Sequence, residues 1–198
     1  TGAGAISGAT GINASTTGAG AVTITSGLGL VNGTGGPGIL ASTADAPVSV
    51  TIGRGGVFSS GEGHAITLTS ANGNILVTAN GTIAGNFPCQ VSRCSAGGIE
   101  AVSTGSSNIK IDGSGTYSAS VGRAIYAEQS ATGLGGILVR GSGPTEAGTL
   151  AFGNASAIRA EIKNPADSNN IVVDRSGNVS SIETFSPGIA DSVSADIH

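Results

Sequence analysis

Gly63-His64-Ala65-Ile66-Thr67-Leu68-Thr69-Ser70-Ala71-Asn72-Gly73-Asn74-Ile75-Leu76-Val77-Thr78-Ala79-Asn80-Gly81-Thr82-Ile83 contains one complete structural unit of the chain. Its first apolar run, Ala65 to Leu68, alternates an aliphatic residue with a small or polar one. A short polar break, Asn72-Gly73-Asn74, precedes the second run, Ile75-Leu76-Val77. Asn80-Gly81 breaks the chain again before Thr82-Ile83. Period-2 alternation over four to five residues marks a strand with one buried side, and Gly and Asn mark the turns between strands. The stretch therefore reads as three short strands joined by two turns.

The same unit recurs along the chain. The pattern small–Ile–x–small places Ile at 12, 39, 66, 99, 125, 158 and 189. A second run follows each of the first six: Val22-Thr23-Ile24, Val50-Thr51-Ile52, Ile75-Leu76-Val77, Ile109-Lys110-Ile111, Ile137-Leu138-Val139 and Ile171-Val172-Val173. A third, introduced by Gly, follows as Gly29-Leu30, Gly56-Val57, Gly81-Thr82-Ile83, Gly115-Thr116-Tyr117, Gly148-Thr149-Leu150 and Gly177-Asn178-Val179. A unit this small cannot bury its apolar side alone, whereas stacked units bury it against one another. The expected fold is all-β: a right-handed, single-stranded parallel β-helix of about six to seven coils. At the strand spacing of a sheet the rod is roughly 30 Å long. An antiparallel sandwich also uses short strands and Gly turns, but does not account for three strand types in fixed order.

Composition fits that reading. The 198 residues include 35 Gly, 6 Pro, no Met and no Trp; 38% are hydrophobic, 3% aromatic and 10% charged. Mean hydropathy is +0.24. The apolar content is too high for a disordered chain, and Gly lacks the three-residue period of collagen. So much Gly, Ser and Thr disfavours a helical bundle. A net charge of −4 without any basic run argues against nucleic acid as a partner. No stretch of about 18 apolar residues suggests a membrane span. Thr1 to Gly4 lack the charged-then-apolar pattern of a signal peptide. The missing initiator Met and the incomplete last repeat, Ser194-Ala195-Asp196-Ile197-His198, suggest an excised segment of a longer protein.

With these residues in view, the sequence resembles the passenger region of bacterial autotransporters (type V secretion), including the large adhesin-type passengers. The matching text is the coil unit from Gly63-His64-Ala65-Ile66 through Gly73-Asn74-Ile75-Leu76-Val77 to Asn80-Gly81-Thr82-Ile83. The likeness spans nearly the whole chain and is specific for architecture rather than for any one activity. It implies a right-handed β-helix displayed outside a Gram-negative cell. It also implies a C-terminal membrane β-barrel that lies outside this sequence, so this segment itself would not insert into the membrane.

Cys89 and Cys94 sit in Asn86-Phe87-Pro88-Cys89-Gln90-Val91-Ser92-Arg93-Cys94-Ser95, inside one of the longer steps between anchor Ile residues. Residues 86–97 read as a loop inserted into one β-helical segment that spans 1–198. Two Cys in an oxidising compartment usually pair. A disulfide here would close a short ring and contribute about 2 kcal/mol. The spacing is not Cys-x-x-Cys, and His64 is the only interior His, so neither a redox nor a zinc site is expected. No metal ligand set and no cofactor motif is read. Gly33-Thr34-Gly35-Gly36-Pro37-Gly38 matches GxGxxG but opens no helix, and is read as a turn. Five Asn-x-Ser/Thr triplets are explained by turn chemistry.

Stacking the first strand of each unit aligns its outward positions. The residue after the anchor Ile runs Asn13, Leu40, Thr67, Glu100, Tyr126, Arg159. Two residues on it runs Ser15, Ser42, Thr69, Val102, Glu128, Glu161. Glu100, Tyr126, Glu128, Arg159 and Glu161 should therefore share one surface patch, with Glu128 and Glu161 one coil apart. The plainest reading is a solvated charge ladder in which Arg159 neutralises the carboxylates. Asp112, Arg140 and Asp174 form a second ladder past the middle strand. Leu76, Lys110, Leu138 and Val172 form an outward strip on the middle strand itself.

The function expected is that of a non-enzymatic, surface-displayed segment of an adhesin: rigid spacer and contact surface in one. Partners would be host matrix, a host cell-surface receptor or a sister passenger. The candidate contact residues are Phe87 and Arg93 in the loop 87–95, together with Glu100, Tyr126, Glu128, Arg159 and Glu161; the loop 141–147 is a further candidate. Tyr126 is the expected anchor, since aromatic and Arg side chains dominate contact energetics. Two other classes remain. A carbohydrate-active β-helix enzyme would use Glu128 and Glu161 as its carboxylate pair. An ice-binding solenoid would need a regular Thr array, which Glu100, Val102, Tyr126 and Arg159 interrupt.

Overall fold

The computed structural model describes residues 4–86, 97–148 and 156–181, and the backbone of 193–197. Within these residues the chain forms twenty strands and no helix. After β1 (Ile6–Gly8) come six coils, each of three strands. The coils are β2 (Ile12–Thr16), β3 (Val22–Ser26), β4 (Val31–Gly33); β5 (Ile39–Thr43), β6 (Val48–Ile52), β7 (Gly56–Ser59); β8 (Ile66–Ser70), β9 (Ile75–Ala79), β10 (Thr82–Gly85); β11 (Ile99–Ser103), β12 (Ile109–Asp112), β13 (Tyr117–Ala119); β14 (Ile125–Gln129), β15 (Ile137–Gly141), β16 (Thr145–Ala147); and β17 (Ile158–Ile162), β18 (Ile171–Arg175), β19 (Val179–Ser181). β20 (Val193–Ile197) follows.

Every third strand joins the same sheet. Sheet A is β1-β4-β7-β10-β13-β16-β19, sheet B is β2-β5-β8-β11-β14-β17-β20, and sheet C is β3-β6-β9-β12-β15-β18. All pairings are parallel, and the anchor residues stack in register, as in Ile66↔Ile99, Ile99↔Ile125 and Ile125↔Ile158. The chain is a right-handed parallel β-helix of about six coils. Right-handed crossovers are what twisted parallel strands favour.

The core is a thin column. Ile39, Ile66, Ile99, Ile125 and Ile158 are fully buried in sheet B, with Ala41, Leu68, Ala101, Ala127 and Ala160 two residues further on. Ile75, Ile109 and Ile137 fill the same role in sheet C. Small residues beside large ones let three sheets meet around a narrow axis. Among the described residues one aromatic is fully buried in it: Tyr117 on β13, whose hydroxyl donates to the Ala79 carbonyl at 3.1 Å. The Arg175 guanidinium lies 4.6 Å from the centre of its ring. Burial pushes the Tyr117 hydroxyl pKa up, so it remains a donor.

Several local boundaries differ from the sequence reading. In the first coil the third strand begins at Val31, not at Gly29-Leu30. Val31 is 1% exposed and Leu30 41%, because the turn continues one residue longer and reverses which side chain faces in. In the fifth coil the third strand is β16, whose Thr145 pairs with Tyr117 and with Val179. Thr149 and Leu150 lie outside the described residues. The loop expected at 141–147 is mostly strand, since Gly141 ends β15 and 145–147 form β16. The seventh anchor is also displaced: Ile158 pairs with Val193, and Ile189 lies outside the described residues. Phe87, Cys89, Arg93 and Cys94 lie outside them too, so the inserted loop and its expected disulfide are not part of the fold described.

Candidate functional site

The outer face of sheet B carries the densest set of ionisable side chains among the described residues. Its strands alternate, so anchor positions point in and the positions between them point out. Register then makes columns of the outward residues: Glu100, Tyr126 and Arg159 in one, Val102, Glu128 and Glu161 in the next. The five residues expected to share a patch do share this face, and Glu128 and Glu161 are direct neighbours on adjacent strands.

Tyr126 is the hub. Its hydroxyl donates toward Glu128 Oε2 and, at 2.9 Å, toward Glu161 Oε2. The Arg123 guanidinium stacks 4.8 Å from the centre of its ring. Burial, followed by the bonds to the two carboxylates, drives the Tyr126 pKa well above its ordinary value. The phenol keeps its single proton, which it shares between the two carboxylates. Arg159 donates to Glu161 Oε1 from Nε at 2.6 Å and also from Nη2. Lys163 Nζ lies 2.7 Å from Glu128 Oε2 and 3.8 Å from Glu161 Oε2.

The solvated ladder expected from sequence is therefore only half right. Arg159 neutralises Glu161 as anticipated, but Lys163 is the partner of Glu128. The Glu161 side chain is only 3% exposed, so this part of the face is a packed polar layer rather than a solvated one. Burial works to raise the Glu161 pKa, but the bonds from Arg159 and Tyr126 outweigh it and hold the carboxyl below the usual range. Desolvation and the nearby positive charge of Arg159 lower the Arg123 pKa.

A second pair joins the layer from the preceding coil. His64 is buried, with Nδ1 3.4 Å from Glu100 Oε2. Its ring packs against Gly97, where a Cβ would overlap it, so that position needs glycine. The hydrogen bond with His64 is the main reason the Glu100 pKa falls below its ordinary value, with the charge of Arg123 adding to it. Sequence reading missed His64, Arg123 and Lys163 as members of this layer. Lys163 was accessible, since 159, 161 and 163 share one strand parity. Arg123 and His64 precede their strands, where alternation gives no direction.

The acid response follows from these carboxylates. Glu100 and Glu161 both have folded-state pKa values below the ordinary 4.5. A group depressed on folding stabilises the fold above its unfolded pKa and loses that contribution as pH falls through the folded one. Denaturation midpoints are expected to hold from neutral pH down to about 4.5 and then decline. Glu161→Gln should be less stable at neutral pH and show a shallower decline, both read by urea titration across that range.

On sheet C the second ladder is present. Arg140 Nη2 lies 2.7 Å from Asp112 Oδ2 and Lys110 Nζ 3.5 Å from it, while Arg140 pairs in register with Asp174. The Arg140 guanidinium is the main cause that holds the Asp112 carboxyl below its usual range. A shallow polar groove of about 510 Å³ runs past Asp112, Arg140 and Asp174. Among the described residues no group of three or more His, Cys, Asp or Glu is placed to hold a metal ion.

No family model, no curated protein and no solved structure matches this chain.

Proposed function

We propose that the chain is a rigid β-helical segment of a bacterial surface adhesin of the autotransporter type, with the outer face of sheet B as its contact surface. The observation carrying this reading is the packed polar layer around Tyr126, mounted on a stacked scaffold. A half-buried Tyr flanked by Arg123, Arg159 and Lys163 and by three carboxylates presents mixed charge in a fixed arrangement. A Tyr ring has few rotamers to lose on contact, and an Arg already held by a carboxylate, as Arg159 is by Glu161, has less left to lose than a free one. The partners it suits are proteins or matrix of mixed charge on a host, or a sister passenger on another cell.

The carboxylate pair supports a sugar-cleaving enzyme less well. Such a mechanism needs one carboxyl kept protonated near neutral pH to act as general acid. Glu161 is held in the ionised form, and the Tyr126 hydroxyl and Lys163 occupy the space between it and Glu128.

The test is attachment. Cells displaying the full parent protein with Tyr126→Ala are expected to attach to matrix or to one another about tenfold less well. Thr23→Ala on sheet C should leave attachment unchanged. Attachment that survives both Tyr126→Ala and deletion of the whole segment would reduce the segment to a spacer.

A further inference from the structure

Resting on the reading of sheet B as the contact face, we infer that Arg123 receives a single carboxylate from an acidic side chain of a partner protein. The cations of the polar layer divide into two kinds. Arg159 is held by Glu161, Lys163 by Glu128, and His64 lies against Glu100. Arg123, among the described residues, has neither a hydrogen-bond acceptor nor an ion-pair partner, and its Nε is buried without one.

Stacking explains why. Arg123 precedes its anchor Ile125 by two residues, as Gly97 precedes Ile99 and Ser156 precedes Ile158. The coils on either side therefore set a glycine and a serine beside Arg123, and neither supplies a carboxylate. The Arg123 carbonyl accepts from Gly98 N at 3.2 Å, and its guanidinium lies on the Tyr126 ring, so both ends of the residue are held. A guanidinium that has lost water on one side and gained no acceptor has more to gain from an anion than a solvated one. Arg123 is only partly buried, so a ligand can reach it.

The surroundings set the chemistry of that ligand. The planar fork of Arg matches a carboxylate with two parallel hydrogen bonds. Glu100 and Glu161 are near enough to act on the Arg123 charge, and the chain as a whole carries −4. A uronic-acid or sulfated polysaccharide would bring a charge on each repeat and set the further ones against these carboxylates. A protein loop presents one carboxylate among neutral groups, and like-charge contacts of this kind are what reject the wrong partner.

Nuclear magnetic resonance of the isotope-labelled chain tests this, with N-acetyl-aspartate amide as the probe. The Arg123 Nε–H resonance is expected to shift saturably at millimolar probe, while N-acetyl-asparagine amide leaves it in place. Arg123→Lys keeps the charge and loses the fork, and should weaken probe binding, read at the Tyr126 ring, by about fivefold. No shift, or an equal response to the two probes, would overturn the inference. A uronic-acid oligomer that binds Arg123 as tightly as the acidic probe would overturn its assignment to a protein partner. On cells displaying the full parent protein, Arg123→Gln should reduce attachment by about fivefold. Attachment lost with Tyr126→Ala but kept with Arg123→Gln would overturn the carboxylate site and leave the contact face standing. Probe binding at Arg123 with attachment that survives Tyr126→Ala would support the carboxylate site and overturn the contact face.

Discussion

Truncating Ile125 to Ala is expected to lower stability by about 3–4 kcal/mol, measured by urea denaturation followed by circular dichroism. Ile125 is fully buried and sits in register between Ile99 and Ile158. Two coils therefore lose contacts at once, and the thin column has no neighbouring large side chain free to fill the space. A stacked solenoid derives its stability from interfaces between adjacent coils. The damage should appear as uncoupling, with the coils on either side of β14 melting in separate steps. Val102→Ala, on the outer face of the neighbouring strand β11, should change stability by only about 0.5 kcal/mol. Equal effects at the two positions would mean that the inward and outward faces are assigned wrongly.

Gly141→Ala is expected to cost about 3 kcal/mol, combining backbone strain with overpacking. Gly141 has φ of +132°, in the region that favours glycine. A Cβ there would also overlap the Gly113 carbonyl oxygen of the coil below and press against Arg175 Nη1. Arg175 Nη2 in turn bonds the Gly143 carbonyl, and its guanidinium covers Tyr117. The substitution therefore disturbs a corner that three coils share. Gly18→Ala provides the contrast. A Cβ there meets nothing within 4 Å, and its φ lies outside the left-handed region. It should be neutral or stabilise by about 0.5 kcal/mol, through the unfolded chain. Thermal denaturation of the two variants reads both effects.

The fold was legible because its signal is repeated. Ile39, Ile66, Ile99, Ile125 and Ile158 each carry the same inward role, so an error at one position is corrected by its neighbours. Legibility failed where a turn changes length. At Leu30 one extra turn residue reverses the strand's faces, and in the fifth coil the third strand already runs over Thr145–Ala147, before Gly148. Gly marks a turn without stating which residue after it points inward.

The polar layer on sheet B was partly legible for the same reason. Register alone placed Glu100, Tyr126, Glu128, Arg159 and Glu161 together. Burial was not legible, because the exposure of Glu161 depends on how Tyr126, Arg159 and Lys163 fold over it. His64 joins through a turn residue whose direction no strand period sets.

The contact surface proposed on sheet B depends on coils stacked one strand apart in register. Distance measurement between paired spin labels tests that most directly. With Cys89 and Cys94 replaced by Ser, labels at Thr25 and Asp112 span three strands of sheet C, and labels at Thr25 and Asp174 span five. At the strand spacing of a sheet the expected separations are about 14 and 24 Å, growing in proportion to the number of strands crossed. Separations that do not scale with strand number, or that place Asp174 nearer to Thr25 than Asp112, would contradict that stacking.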